Sequence, residues 1–210
     1  MGDGAAVALR HYLGDVVVAQ IRSGRRATSP PSAGGTPPLR RPICGVRRSR
    51  GWRGRRRQAG GGGEEEAGGG VGVGGEGNDY SSGVWQFEAF GYVPYGTSGV
   101  CIMQVFGSSP PQATTLMLRV YNGTLSYYRA PIVVPNIYGR WFKLNVVHDV
   151  EGRRVEVYID GVLKYEAASR GRGEAEGTSH YFKCGVYAQN DASYYMESRW
   201  KKIRVLKKCQ

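Results

Sequence analysis

The ten residues HYFKCGVYAQ at positions 180–189 alternate in character with a period of two, which predicts a β-strand. Alternate side chains of a strand point to opposite faces of its sheet. The apolar set is assigned to the core: Phe182, Cys184, Val186 and Ala188. The opposite set forms an open face: Tyr181, Lys183, Gly185, Tyr187 and Gln189. This parity predicts a sheet with one buried face and one accessible face.

The composition of the open face indicates a binding surface. Tyrosine rings offer flat apolar area to sugars, and lysine and glutamine donate hydrogen bonds to carboxylates. An ordinary solvated sheet face with cross-strand pairs is the alternative interpretation. In the run 99–106 the same alternation separates two sets: Ile102, Gln104 and Phe106 on one face, and Cys101, Met103 and Val105 on the other. We therefore expect Gln104 to share the open face.

The sequence beyond residue 77 consists of short runs rich in Val, Ile, Tyr, Phe and Trp, separated by Gly, Pro, Asn and Asp. This pattern predicts an all-β sandwich. The predicted strands are 84–93, 99–106, 114–121, 124–129, 140–149, 153–159, 162–166, 180–189 and 198–206. Asn122-Gly123 and Asp160-Gly161 predict two-residue hairpin turns, because both pairs supply the positive φ that such turns require. Asn122 also begins a glycosylation sequon, which matters only in the secretory pathway.

Residues 1–76 have a different composition, with 13 Arg, no Lys, 19 of the 33 Gly and only two aromatic residues, Tyr12 and Trp52. Such a segment cannot bury enough apolar area to offset an ordering entropy of roughly 1 to 2 kcal/mol per residue. We therefore predict a disordered Arg/Gly/Pro-rich tail at 1–76 and a folded domain at 77–210. Most of the formal charge of +12 lies in the tail, so the overall charge says little about the ligand of the domain.

Several classes of protein are disfavoured by the sequence. No apolar run reaches the roughly 18 residues of a membrane helix, and the N-terminus lacks a secretory signal, so the chain as written is expected in the cytoplasm. One cluster of arginines could bind the phosphates of nucleic acid: Arg53, Arg55, Arg56 and Arg57. It is accompanied neither by a helix that could enter a groove nor by aromatic side chains for base stacking, so we expect no nucleic-acid partner. The Cys and His spacings match no metal site, and no cofactor is expected.

Two motifs resemble those of a known family. The run Tyr181-Phe182-Lys183-Cys184-Gly185-Val186-Tyr187-Ala188-Gln189 resembles the last motif of the alginate-lyase-2 family of polysaccharide lyases. Gln104-Val105-Phe106 resembles the middle Gln-Ile-His motif of the same family. The resemblance is closer still to the plant citrate-binding proteins, which share this domain, and it covers about residues 77–210.

The resemblance implies a jelly roll of two curved sheets, with a polyuronate substrate lying across the concave one. In the lyases an Arg and the middle-motif Gln neutralise the uronate carboxylate, and a Tyr or His takes the C5 proton. On matching positions, Gln104 would be the carboxylate neutraliser, Tyr181 the catalytic acid or base, and Lys183 a charge partner. Tyr187 and Gln189 would line the groove as ligand-binding residues.

Two departures from the family pattern favour binding over cleavage. Phe106 stands where the family has a histidine, and it cannot accept a proton. The family's first motif, an Arg-x-Glu-x-Arg strand, is absent from residues 58–76, so the jelly roll is expected to be incomplete at its N-terminal side. We expect a noncatalytic domain that binds citrate or an acidic oligosaccharide. The alternatives are a polyuronate lyase that relies on Tyr181 alone and an inactive, truncated member of a family that is otherwise secretory or vacuolar.

Overall fold

The computed structural model describes residues 7–13, 16–22, 72–73, 79–107, 114–169 and 179–208. All regular structure in these residues is β-strand, in two antiparallel sheets packed face to face. The predicted all-β jelly-roll sandwich is therefore confirmed. Among the described residues, no helix has the length and apolar character needed to cross a membrane.

The first sheet has seven strands. In spatial order they are β1 (Val7–Leu13), β2 (Val16–Arg22), β13 (Tyr195–Lys207), β4 (Val84–Tyr92), β9 (Trp141–Asp149), β10 (Arg154–Ile159) and β11 (Val162–Ala168). The neighbours β13, β4 and β9 are far apart in sequence. Long-range pairing of this kind closes the sandwich, because it brings the two ends of the domain into one sheet.

The second sheet has six strands. Across the sheet they are β3 (Gly72–Val73), β12 (Tyr181–Ala188), β5 (Val100–Phe106), β6 (Thr114–Tyr121), β7 (Thr124–Tyr127) and β8 (Ile132–Val134). Among the described residues, β3 pairs with β12 at one edge of this sheet. Strands β5, β6 and β12 carry the candidate site.

The core lies between the two sheets and is built from the side chains that point inward from the strands of both. The rings of Phe87 and Phe142 pack edge-on to Trp200, with centroids 6.1 and 6.4 Å away, and Phe87 meets Phe182 of the other sheet at 5.8 Å. Ser198 Oγ donates a hydrogen bond of 2.7 Å to the carbonyl oxygen of Gly185, which also links the sheets. The apolar parity predicted for Phe182, Cys184 and Val186 is confirmed, since all three are buried in this core.

The two predicted hairpin turns are present. Asn122 and Gly123, between β6 and β7, have φ values of 50° and 87°. Asp160 and Gly161, between β10 and β11, have φ values of 53° and 82°. Both pairs have the positive φ at two successive residues that a type I′ turn requires.

Strands β1 and β2 correct part of the prediction for the N-terminal segment. Both fall within residues 1–76, which were predicted to be disordered, yet β2 pairs with β13 and buries Val18 and Ala19. The apolar run of residues 16–19 has strand propensity, and the edge of β13 offers unpaired backbone groups that β2 satisfies. Apart from 7–13, 16–22 and 72–73, the predicted tail lies outside the described residues, including its arginine cluster.

Two glycines in one loop provide a test of this packing. Gly99 has a φ of +64°, and a Cβ added there would lie 2.3 Å from the carbonyl oxygen of Asp191. Gly96 has a φ of +85° with nothing within 4 Å of such a Cβ. Alanine at Gly96 is expected to cost about 1 kcal/mol from backbone strain alone. Alanine at Gly99 is expected to cost about 1 to 2 kcal/mol more, because backbone must move.

Urea unfolding of the Gly96→Ala and Gly99→Ala variants measures this difference directly. Equal losses in the free energy of unfolding would contradict the close approach of the 99 and 191 loops.

Candidate functional site

The candidate site is the side of β12, β5 and β6 that points away from the core, which we call the open face. Eight side chains define it: Tyr181, Lys183 and Tyr187 from β12, Cys101, Gln104 and Phe106 from β5, and Met117 and Arg119 from β6. The main core lies on the other side of the same strands. Four of the eight side chains on the open face are nevertheless buried: Cys101, Gln104, Met117 and Tyr187.

The register of β12 and β5 brings the predicted residues together in pairs. Lys183 lies directly opposite Gln104, and Tyr181 lies directly opposite Phe106. The rings of Tyr181 and Phe106 have centroids 5.3 Å apart. The position beside Tyr181 that holds a histidine in the related motif is therefore filled in this chain by an apolar ring.

The ammonium group of Lys183 is surrounded by aromatic rings. Its Nζ lies 3.9 Å from the ring centroid of Phe106 and 5.5 Å from those of Tyr181 and Tyr187. Contacts of this type contribute about 0.5 to 1 kcal/mol each at exposed sites. They also hold the flexible lysine stem in one place, so the charge is positioned before any ligand arrives.

Bulges in both strands correct the predicted parity of Cys101 and Ile102. The register shifts between Cys101 and Met103 in β5 and between Cys184 and Tyr187 in β12. Each shift places two residues against one. In β5 the alternation changes phase, since the successive residues Ile102 and Met103 both lie in the core, whereas β12 keeps its alternation. Ile102 lies in the main core instead of beside Gln104, and Cys101 packs with Tyr187 and Met117 on the open face.

The depth of the predicted residues differs. Gln104 is fully buried and Tyr187 is 4% exposed, whereas Tyr181 and Lys183 are partly exposed. Gln189 lies just beyond β12, and its Nε2 donates to the carbonyl oxygens of Ala188 and Tyr187 at 3.0 and 3.4 Å. A ligand approaching from solvent would first meet Tyr181 and Lys183, with Gln104 beneath them.

Arg119 is a cation of the open face that the sequence analysis missed. It lies opposite Cys101 on β6, one row away from the Lys183–Gln104 pair, and it is partly exposed. Its guanidinium carbon lies 4.8 Å from the ring centroid of Tyr128, and its Nη2 approaches Met117 Sδ at 3.1 Å. The alternation of apolar Leu116, Leu118 and Val120 with Met117 and Arg119 was the available signal.

His180 precedes Tyr181 but lies on the core side of the strand. It is fully buried, and its ring centroid lies 4.8 Å from that of His148 and 5.7 Å from that of Tyr80. The Tyr80 hydroxyl and His148 Nδ1 are 3.1 Å apart, at hydrogen-bond distance. Burial, and secondarily the neighbouring His180, lowers the pKa of His148 to about 3, with a small opposing effect of Asp149. This histidine pair faces away from Tyr181 and cannot serve it as a base.

The described residues contain no cluster of three or more side chains suited to hold a metal ion. The open face instead combines two cations, a buried amide and aromatic rings. This combination suits an anionic organic molecule, because ammonium and guanidinium groups bind carboxylates while the rings contact carbon atoms.

Comparison with known proteins defines the class. The family model described as alginate lyase matches residues 66–207, and the chain belongs to this family, the alginate-lyase-2 family. A protein of Hevea brasiliensis named citrate-binding protein is 51% identical to it over 133 residues, which are 63% of this chain and 53% of the Hevea protein. The chain therefore spans about half the length of that curated relative.

Solved structures of alginate lyases are similar to the chain at low identity. AlgAT5, an alginate lyase from polysaccharide lyase family 7, is 18% identical with a TM-score of 0.48, over 63% of this chain and 62% of its own. The lyase AlyA1 of Zobellia galactanivorans is 19% identical with a TM-score of 0.48, over 62% of this chain and 65% of its own.

Proposed function

We propose that this protein binds an acidic ligand, citrate or a uronate oligosaccharide, on the open face without cleaving it. The observation that carries the proposal is the arrangement around Lys183, whose ammonium group is held among three aromatic rings and opposite Gln104. The similarity to a protein named for citrate binding supports the choice of ligand class.

The binding follows from the chemistry of the two cations. Lys183 supplies a positioned point charge, and Arg119 supplies a planar guanidinium that can bind a carboxylate through two hydrogen bonds. A hydrogen bond to a charged group contributes about 1.5 to 3 kcal/mol where water is partly excluded. Because citrate and uronate chains carry several carboxylates, one ligand can use both cations.

The neighbourhood of Tyr181 argues against elimination chemistry. A phenol has an unperturbed pKa of about 10, so it needs a neighbour that accepts its proton or stabilises the phenolate before it can act as a base near neutral pH. Phe106 lies opposite Tyr181 and cannot accept a proton, and His180 faces the core. Lys183 can stabilise a phenolate, but its ammonium group cannot accept the proton either. Tyr181 is therefore placed to contact a ligand with its ring and hydroxyl.

Polyuronate lyase activity is the second candidate, because the chain belongs to a family described as alginate lyase. In that case Gln104 would neutralise the uronate carboxylate and Tyr181 would transfer the proton. Lys183 would then supply the positive charge that makes the C5 proton more acidic.

Incubation with alginate, glucuronan and polygalacturonate separates the two functions. We expect no rise in the ultraviolet absorbance of unsaturated uronate ends, because the ring of Phe106 occupies the place opposite Tyr181 where a proton acceptor would be needed. The matched variants are Phe106→His, which restores the histidine of the related motif, and Tyr181→Phe. Product formation by the unmodified chain that is lost in Tyr181→Phe would overturn the binding proposal in favour of the lyase.

A further inference from the structure

The outward side of the first sheet carries a second group of aromatic and basic side chains, which we call the outer patch. It lies on β4, β9 and β13, in the opposite sheet of the sandwich from the open face. Six residues define it: Phe90, Tyr92, Trp141, Arg199, Lys201 and Lys202.

The register orders the outer patch into two rows across the strands. Arg199 lies opposite Tyr92, which lies opposite Trp141. Lys201 lies opposite Phe90 in the next row. Neighbouring strands are about 4.8 Å apart, so each row sets cations and rings side by side across the sheet.

The rings of the outer patch position its cations. Lys201 Nζ lies 4.0 Å from the ring centroid of Trp141, and Lys202 Nζ lies 5.7 Å from that of Phe90. The guanidinium carbon of Arg199 lies 5.2 Å from the ring centroid of Tyr92. Trp141 is 36% exposed, so part of its ring remains accessible to solvent beside Lys201.

The charges of the outer patch are only partly compensated. Glu88 is paired with Lys143 and Arg204, and Glu197 is paired with Arg199. Among the described residues, neither Lys201 nor Lys202 has a carboxylate within ion-pair distance. These two lysines therefore leave uncompensated positive charge on the sheet face.

We propose that the outer patch is a second binding site, for the chain of an acidic polysaccharide. Its carboxylates would contact Lys201 and Lys202, and the apolar side of a sugar ring would contact the part of Trp141 that stays exposed beside Lys201. Preorganised cations lower the entropic cost of binding such a flexible polymer. Single-stranded nucleic acid fits less well, because it needs free ring faces for stacking, and the ammonium group of Lys201 covers a face of Trp141.

Affinity electrophoresis of the full-length chain through gels containing polygalacturonate tests this site. The open face would also retain this polymer, so the comparison is made in the Arg119→Met/Lys183→Met background. We expect Lys201→Met/Lys202→Met to weaken the remaining retardation about five- to tenfold, as for the loss of two screened cation contacts. Trp141→Leu, which removes the ring beneath Lys201, is expected to weaken it as well. The matched control, Lys164→Met/Lys208→Met, has the same charge change outside the patch and is expected to stay within about twofold of that background.

Separate variants distinguish failure of the outer patch from failure of the open face. Lys183→Met reports on the open face, and citrate binding is expected to be unchanged in Lys201→Met/Lys202→Met. Equal weakening by the two lysine pairs would overturn the outer patch, because net charge alone would then explain retention. Stronger competition by single-stranded DNA than by oligogalacturonate, or patch-dependent self-association in sedimentation, would also overturn it.

Discussion

The free energy of unfolding is expected to fall by about 2 kcal/mol when the pH is lowered from 6.5 to 4.5, because of His148 alone. Its pKa is lowered to about 3 in the folded protein, against 6.5 for an unperturbed histidine, chiefly because it is buried. In this window the unfolded chain takes up a proton that the folded protein does not. The contribution is therefore fully present above pH 6.5 and is lost progressively as the pH falls toward 3.

Urea unfolding at a series of pH values measures this dependence. His148→Gln keeps a hydrogen-bonding group near the Tyr80 hydroxyl but removes the titration, so its slope between pH 6.5 and 4.5 is expected to be smaller by about 1 kcal/mol per pH unit. His11→Gln serves as the control, since it removes a histidine from the N-terminal segment. A slope that is the same in His148→Gln and in the unmodified chain would show that His148 is solvated.

The affinity for citrate is expected to fall about 100-fold in Arg119→Met/Lys183→Met. Each cation lies on the open face, and each is expected to supply about 1.5 to 3 kcal/mol through a hydrogen bond to a carboxylate. Calorimetric titration at fixed, moderate salt measures the change, because screening would otherwise obscure it. The single variants are expected to lose about tenfold each.

The control for this pair is Lys164→Met/Lys208→Met, which has the same charge change outside the open face. It is expected to bind citrate as the unmodified chain does. If both double variants lose the same affinity for citrate, net charge alone explains the attraction, and the open face is not the binding site.

The sheet architecture and the central pair of the site could be predicted from the sequence. Strict alternation in 180–189 determines which side chains face the core, since a period of two leaves only one choice once Phe182 and Cys184 are buried. The same reasoning placed Gln104 on the open face, and the register of β5 and β12 shows that it lies opposite Lys183. Hairpins at Asn122 and Asp160 were predictable because their turn residues have few alternatives.

Features that depend on a bulge or on a distant partner could not be predicted. Nothing in the composition of β5 marks the bulge beside Ile102, so simple alternation assigned Cys101 to the wrong face. β2 becomes ordered through backbone bonds to β13, nearly 180 residues away, which local composition does not encode. Arg119 was within reach of the alternation argument, but only after β6 was known to lie beside β5.

Chemical labelling of lysines in the presence of citrate tests the open face most directly. Acetylation followed by mass spectrometry reports the rate at each lysine of the unmodified full-length chain, with Lys164 as the internal control. We predict that saturating citrate slows acetylation of Lys183 several-fold while the rate at Lys164 stays the same. Acetylation of Lys183 at the same rate with and without citrate, under conditions where calorimetry shows saturation, would contradict the proposed site.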